Sequence, residues 1–353
     1  MDVPTVAVTG AAGLIAQRLL PRLAADWQVV GLDVREPGRR LRGVDVRLVD
    51  ISRSDLVPVL AGADVLVHLA SVVDPLPDEA LMARVNVEGA RRVLAAAAKV
   101  GVRKVVRVSG AAVYGAWATN PVPLTEDSPL RPNPGFSPAI QAAEAERLLG
   151  EWREAHPEAV VTTLRTAPVL GPGAERLPSR LLLGRPTLRV RGATPPVQAV
   201  HVDDLVAALE LVIREDHPGI FNVASDGWLS HEDLRALLPR AFVPAYPPAT
   251  LTRVLRATWS TGLGEIPPGV VPYLEHPWVI ANDRLRALGW QPEHTNEQSI
   301  LDGVASLPAP RRRTRAVAFA AGAAAGAGVT VYVTGRQVRR QVQQGRIRKS
   351  RAR

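Results

Sequence analysis

The stretch that most restricts this chain lies at its start. Thr5 to Thr9 is a short apolar run of strand type, and it breaks onto Gly10-Ala11-Ala12-Gly13. An amphipathic run to Leu23 follows, with Ala16 three residues after Gly13. Strand, glycine turn and helix in this order place the amino end of a helix at the end of a strand. The first glycine permits a tight turn, the second lets backbone approach an anion, and a small third residue packs helix on strand. The unbonded N–H groups of the helix end then face that anion. A second strand, Gln28 to Leu32, ends in Asp33, twenty residues after Gly13. An acid there accepts both hydroxyls of an adenosine ribose and repels a 2′-phosphate, so the pattern predicts a dinucleotide site favouring NAD over NADP. Arg35, two residues on, works against that preference.

The alternation continues. Val44 to Val49 reads as a third strand, with Asp50-Ile51 at its end, and Val65 to Leu69 as a fourth. Ala83 to Val100 reads as a helix with Asn86 in its first turns, and Val102 to Val108 as a fifth strand ending in Ser109-Gly110. Strands alternating with helices predict an α/β fold with a doubly wound parallel sheet. Ligands of such sheets bind at the carboxyl ends of the strands, where Asp33, Asp50, Ala70, Ser71 and Ser109 fall.

Ten segments in order resemble the extended short-chain dehydrogenase/reductase family, in its NAD-dependent epimerase/dehydratase branch. They are TGAAGLIA at Thr9, VDIS at Val49, VLVHLAS at Val65, VNVEGARRVL at Val85 and VSGAAVYG at Val108, then LTEDSPLRP at Leu124, TLRTAPVLGPG at Thr163, AVHVDDLVAAL at Ala199, FNVAS at Phe221 and RLRALGWQP at Arg284. The resemblance implies a Rossmann-type NAD-binding domain over 1–165, a smaller α/β substrate lobe over 166–305 and a tail over 306–353. It implies that Gly10, Ala12, Gly13, Leu14, Ile15, Asp33, Asp50, Ile51, Leu69, Ala70, Ser71 and Asn86 touch or frame the dinucleotide. Asp50 would accept from the adenine amino group. Ser109 would border the nicotinamide, and Thr166 to Val169 would line it from the second lobe, with Pro168 where the family often has Asn.

The family's chemistry uses a Ser or Thr four residues before the tyrosine of VYG, a catalytic Tyr, and a Lys four residues after that Tyr. A phenol with a pKa near ~10 acts as a base at neutral pH only when a cation stabilises the phenolate. Here the three positions are Gly110, Phe136 and Ile140, with the register held by LTEDSPLRP and AEAERLL. Tyr114 is the nearest phenol, with no lysine beside it in sequence, and is the one weak candidate for a proton donor. His68 reads as a core histidine. His201 reads as structural, with Asp203 or Asp204 capping the helix after it. No metal-ligand spacing and no Ser–His–Asp set is present, and without cysteine there is no thiol nucleophile.

Three functions stay open at this point. One is an NAD-binding, atypical family member lacking the standard Tyr/Lys redox chemistry. Another is an active NAD-dependent oxidoreductase or epimerase working on a nucleotide-sugar-like substrate through other residues. A module that has lost the cofactor and serves only as a tethered partner-binding unit is a third. The partners expected are the dinucleotide, a small-molecule ligand in the second lobe and, within the family's range, a second copy in a homodimer.

Of 43 Lys and Arg, 12 fall between Arg311 and Arg353, where there is no acid; the remainder carries 31 basic and 34 acidic residues. The basicity belongs to the tail, so no specific nucleic-acid binding is expected of the body. Ala316 to Val333 is uncharged, with eight Ala and three Gly, and Gly322 and Gly326 form a small-xxx-small pair. As a helix it reaches about 27 Å, just short of a ~30 Å hydrocarbon core. The segment reads as an Ala/Gly-rich helix, either a membrane helix or a neighbour of a basic tail lying on anionic lipid. Met1-Asp2-Val3-Pro4 has no features of a secretory leader, so a cytoplasmic body is expected, membrane-associated through 311–353.

Overall fold

The computed structural model of the protein describes residues 3–174, 176–177, 181, 188–238, 245–306, 317–318 and 330–331. Seven parallel strands form one sheet: β1 (Thr5–Thr9), β2 (Gln28–Asp33), β3 (Val44–Leu48), β4 (Val65–His68), β5 (Lys104–Gly110), β6 (Val160–Thr166) and β7 (Gly219–Val223). Their order across the sheet is β3-β2-β1-β4-β5-β6-β7. Winding therefore reverses between β1 and β4, and the crevice that such a reversal opens lies beyond Thr9 and His68.

Helices cover both faces. Leu19, Leu20 and Leu23 of α1 (Leu14–Leu23) and Val206 and Leu209 of α4 (Val202–Arg214) pack on Val6, Val8, Val67 and Val106. On the other face, Leu94 and Ala97 of α2 (Ala90–Val100) and Leu148, Leu149 and Trp152 of α3 (Ser137–Ala155) cover Ala7, Leu66 and Val105. Pro21 sits inside α1 and has no N–H for the Gln17 carbonyl; the Arg39 guanidinium supplies the missing donor at 2.9 Å. Lys104, buried at the start of β5, donates to the Ile213 and Glu215 carbonyls at 3.0 and 2.8 Å and so closes the carboxyl end of α4.

The helix expected over Ala83 to Val100 is helical but not uniform. It starts at Glu79 and widens to a π-turn over Arg84–Gly89 before α2. A Cβ on Gly89 would lie 2.9 Å from Ile51 Cδ1, so the glycine lets the wide turn seat against the end of the β3 segment.

The second lobe is built from short pieces. Val169–Leu170 pairs with Val200–His201, and Arg189–Val190 with Ala245–Tyr246. Between these pieces, α4 packs on the main sheet and β7 joins it. Within 316–333, the described residues Val317–Ala318 and Thr330–Val331 pair as antiparallel strands, which corrects a continuous helix over that range. Three of the four are β-branched and favour extended backbone. The other residues of the tail lie outside those described, and no helix among the described residues is long and apolar enough to cross a membrane.

Candidate dinucleotide and ligand site

The glycine turn forms the floor of the crevice. Gly10 has φ +80°, and a Cβ there would stand 2.8 Å from the Ala70 nitrogen, so Leu69 and Ala70 are in van der Waals contact with the turn backbone. Gly13 is the N-cap of α1 and no side chain caps that end, which leaves the Leu14 and Ile15 N–H groups facing the crevice side of the turn. Thr9 Oγ1 accepts from the Ala70 N–H at 3.2 Å and is hydrogen-bonded to His68 Nδ1 at 2.8 Å, pinning the ends of β1 and β4 together. Burial, with the Arg107 cation beside it, pushes the His68 imidazole down to about 3, so the ring is neutral and acts as core, as expected.

Asp33 ends β2 with its carboxylate at the turn. Oδ2 accepts from the Ala12 N–H at 2.9 Å and Oδ1 from the Arg35 N–H at 3.1 Å. A carboxylate has about four acceptor positions, so two remain for ribose hydroxyls. The Arg35 guanidinium is 3.9 Å away and two-thirds exposed, which leaves it able to swing off. Asp50 accepts from the Ser52 N–H and hydroxyl at 2.9 and 2.7 Å, and that hydroxyl bond is the main cause holding its carboxyl below the usual range. Ile51 is buried behind it.

Asn86 holds the loop after β4. Its amide accepts from the Val72 N–H at 2.7 Å and the Ser71 hydroxyl at 3.2 Å, and donates to the Val72 carbonyl and to Gln141 Oε1 at 3.1 and 3.0 Å. With four partners it frames the site by clamping the loop after β4 to α3. Gln141 was not singled out from the sequence; it lies one residue beyond Ile140, and no local pattern marks it.

Across the crevice, Ser109 and Thr166 end β5 and β6, with the Thr166 hydroxyl on the Ser109 carbonyl at 3.2 Å. Val169 begins the second lobe. The segment after it folds back over the mouth: the Leu177 N–H donates to Asp74 at 2.7 Å and Arg18 donates to the Pro172 carbonyl at 2.8 Å.

The three positions that the resemblance makes catalytic are held by Gly110, Phe136 and Ile140. Gly110 ends β5. Phe136 precedes α3, buried, its ring 5.0 Å from that of Tyr273. Ile140 is an exposed apolar side chain on α3, at 41 %. Tyr114 is not on this surface. It is buried, donates to Asn222 Oδ1 at 2.8 Å and accepts from Arg165 at 2.9 Å, and burial pushes its phenol up. Arg165 in turn bonds Glu146 at 2.7 Å inside the protein. His201, not Asp203 or Asp204, caps α4, accepting from the Asp203 N–H at 3.2 Å. Asp204 instead holds the Glu293 and His294 N–H groups at 3.1 Å each. No cluster of three His, Asp or Glu suited to a metal occurs among the described residues.

Beyond Phe136 lies a cavity of about 180 Å³ between the sheet's carboxyl edge and the second lobe. Ala112, Ala167 and Pro168 bound it on the sheet side, and Leu177, Val190 and Leu234 on the other.

The NAD dependent epimerase/dehydratase family model matches residues 6–224. The chain belongs to that family. It is 31 % identical over 315 residues to an uncharacterized protein of Mycobacterium tuberculosis, covering 84 % of this chain and 82 % of that one. It is 30 % identical over 315 residues to a 3-diazoavenalumate denitrifying reductase of a Streptomyces species, covering 82 % of this chain and 96 % of that protein. Among solved structures, MoeE5 in complex with UDP-glucuronic acid and NAD superposes with a TM-score of 0.67 at 23 % identity, covering 86 % of this chain and 98 % of that one. The Thermus thermophilus UDP-glucose 4-epimerase complex with NAD gives 0.66 at 22 %, with the same coverage. These two likenesses establish the fold.

Proposed function

We propose that this family member binds NAD in the crevice and does not perform the family's phenol-assisted hydride chemistry. The observation that carries the second half is the pair Phe136, which lines the cavity, and Ile140, one turn further along α3, neither with a transferable proton or a cation. The crevice suits the dinucleotide: the uncapped α1 end takes the pyrophosphate, Asp33 the adenosine ribose and Asp50 the adenine amino group. Bound NAD supplies a hydride acceptor at its nicotinamide. What the chain lacks is a group to take the proton from an alcohol as the hydride leaves it, and Gly110 offers no hydroxyl to orient that alcohol. The dinucleotide lobe comprises 1–165 with 202–223 returning to it, and the rest of 166–305 forms the ligand lobe.

Calorimetry should show NAD binding more tightly than NADP, and Asp33→Ala should weaken NAD by about tenfold, the loss of a charge-assisted pair of bonds. Nicotinamide absorbance with nucleotide-sugars should show turnover at least ~10²-fold below a typical ~10 s⁻¹. Turnover at the typical rate would overturn the reading. The 30 % identity to a protein named a reductase favours a second reading, hydride transfer through non-standard residues. It predicts NADH oxidation with an acceptor that needs no proton from the tyrosine position.

The tail 311–353, with 12 basic residues and no acid, we read as a contact to an anionic membrane surface. Full-length protein should pellet with anionic vesicles at low salt and be released at high salt, since such attraction is screened within about 8 Å at physiological ionic strength. Protein that stays in the supernatant at every salt concentration would refute this.

A further inference from the structure

The cavity beyond Phe136 has a chemistry of its own. Its walls are aliphatic and aromatic, and no acidic side chain is among the described residues lining it. Most of the polar groups that reach it are already spent on backbone. Gln198 donates to the Gly227 and Ile280 carbonyls and accepts from the Ile280 N–H, all within 3.0 Å. Tyr273 donates to the Ala112 carbonyl at 2.8 Å, and the Trp278 indole to the Tyr273 carbonyl at 3.1 Å. Buried groups with filled partners contribute surface and no recognition.

Two side chains are left, Arg189 and His231. Arg189 Nη2 stands 2.5 Å from His231 Nε2. A guanidinium has donors and no acceptor, so Nε2 is the bare nitrogen and the imidazole is neutral. Burial, then the Arg189 and Arg235 cations, hold that ring below its ordinary range. Arg189 is therefore a cation whose one side-chain partner carries no negative charge. Its remaining donors are planar and paired, the geometry that matches a carboxylate.

We propose that this cavity binds a small apolar molecule with a single carboxylate end, its body against Phe136, Leu177 and Val190 and its carboxylate on Arg189. The volume agrees. A dry cavity of about 150 Å³ holds a benzene ring, and this one is about 180 Å³. A nucleotide-sugar is disfavoured on the same grounds. Its diphosphate and sugar hydroxyls need several donors and acceptors, and the described residues of the wall offer one cation and one imidazole with capacity to spare. The inference rests on Phe136 marking the ligand side of the crevice and does not depend on NAD being bound.

The test uses the full-length protein without dinucleotide. Benzoate, 3-phenylpropionate and octanoate are titrated by calorimetry, each against its matching primary alcohol, and UDP-glucose is titrated separately. At least one carboxylate should bind about tenfold or more tightly than its alcohol, a difference of about 1.4 kcal/mol. Arg189→Gln should erase that difference and leave the alcohol within about twofold, which a variant that merely misfolds would not do. Ala193→Trp, which fills the cavity, should abolish binding of both. Three outcomes overturn the proposal: no carboxylate binds, UDP-glucose binds more tightly than every carboxylate, or Arg189→Gln leaves the discrimination intact. Titrating NAD into the same samples keeps this outcome separate from the fate of the dinucleotide reading.

Discussion

Gly13→Val is expected to weaken NAD binding by at least ~100-fold, about 2.7 kcal/mol, while the protein stays folded. Gly10→Ala is expected to lose both binding and stability. The two glycines stand three residues apart and differ in what surrounds them. A Cβ at Gly13 meets only the Gly10 carbonyl oxygen, at 3.0 Å, and the backbone there, φ −75°, suits any residue. Valine at 13 therefore intrudes mainly on the space above the α1 amino end, which a pyrophosphate would occupy. A Cβ at Gly10 meets backbone on three atoms of Leu69 and Ala70 within 3.0 Å, and φ +80° costs an L-residue roughly 1–2 kcal/mol before any clash. Calorimetry with NAD and thermal melting on both variants read the two effects separately. Gly13→Val binding NAD within about threefold of the parent would remove the turn from the dinucleotide site, because no alternative contact compensates a blocked helix end.

What the sequence disclosed follows from how local the information is. The turn, Asp33 and the strand ends were legible because each lies within about twenty residues of the next and obeys one period. The doubly wound parallel sheet followed from the same alternation.

Other features needed the third dimension. Asn86 bonds Gln141, which is 55 residues away in sequence and which no local pattern marks. Asp204 looked like a helix cap because it sits in the first turn of α4; its partners, Glu293 and His294, are some 90 residues on. The cap fell to His201, a residue outside the usual capping set. The cavity was hidden for the same reason. Its walls come from segments between Ala112 and Val279, and no single segment shows an excess of apolar residues pointing one way. Ala316 to Val333 misled through composition. Eight alanines suggest helix, but the valines and threonine at its ends pair as strands.

The least legible feature is also the one with the largest consequence for stability. Arg165 and Glu146 are each about 95 % buried and bonded at 2.7 Å, and Arg165 also reaches the Tyr114 hydroxyl, with its guanidinium 4.9 Å from that ring. Burial works to lower the Arg165 pKa and the Glu146 carboxylate outweighs it, so Glu146 is the main compensation for burying this cation. A second cation, Arg107, is buried nearby and held down by its own burial, with Glu146 as the opposing charge. Glu146→Ala should therefore leave two buried cations with no carboxylate. The expected loss is about 3–5 kcal/mol, the usual result of breaking a buried pair from one side. Arg165→Met alone should cost less, because Glu146 keeps Arg107 as a neighbour. Adding Arg165→Met to Glu146→Ala should recover stability relative to Glu146→Ala, since it removes one of the stranded charges. Denaturant unfolding of the four proteins in the cycle measures this. A Glu146→Ala loss under about 1 kcal/mol, the range of exposed pairs, would mean that water reaches these cations and that the pair does not anchor α3 to β6.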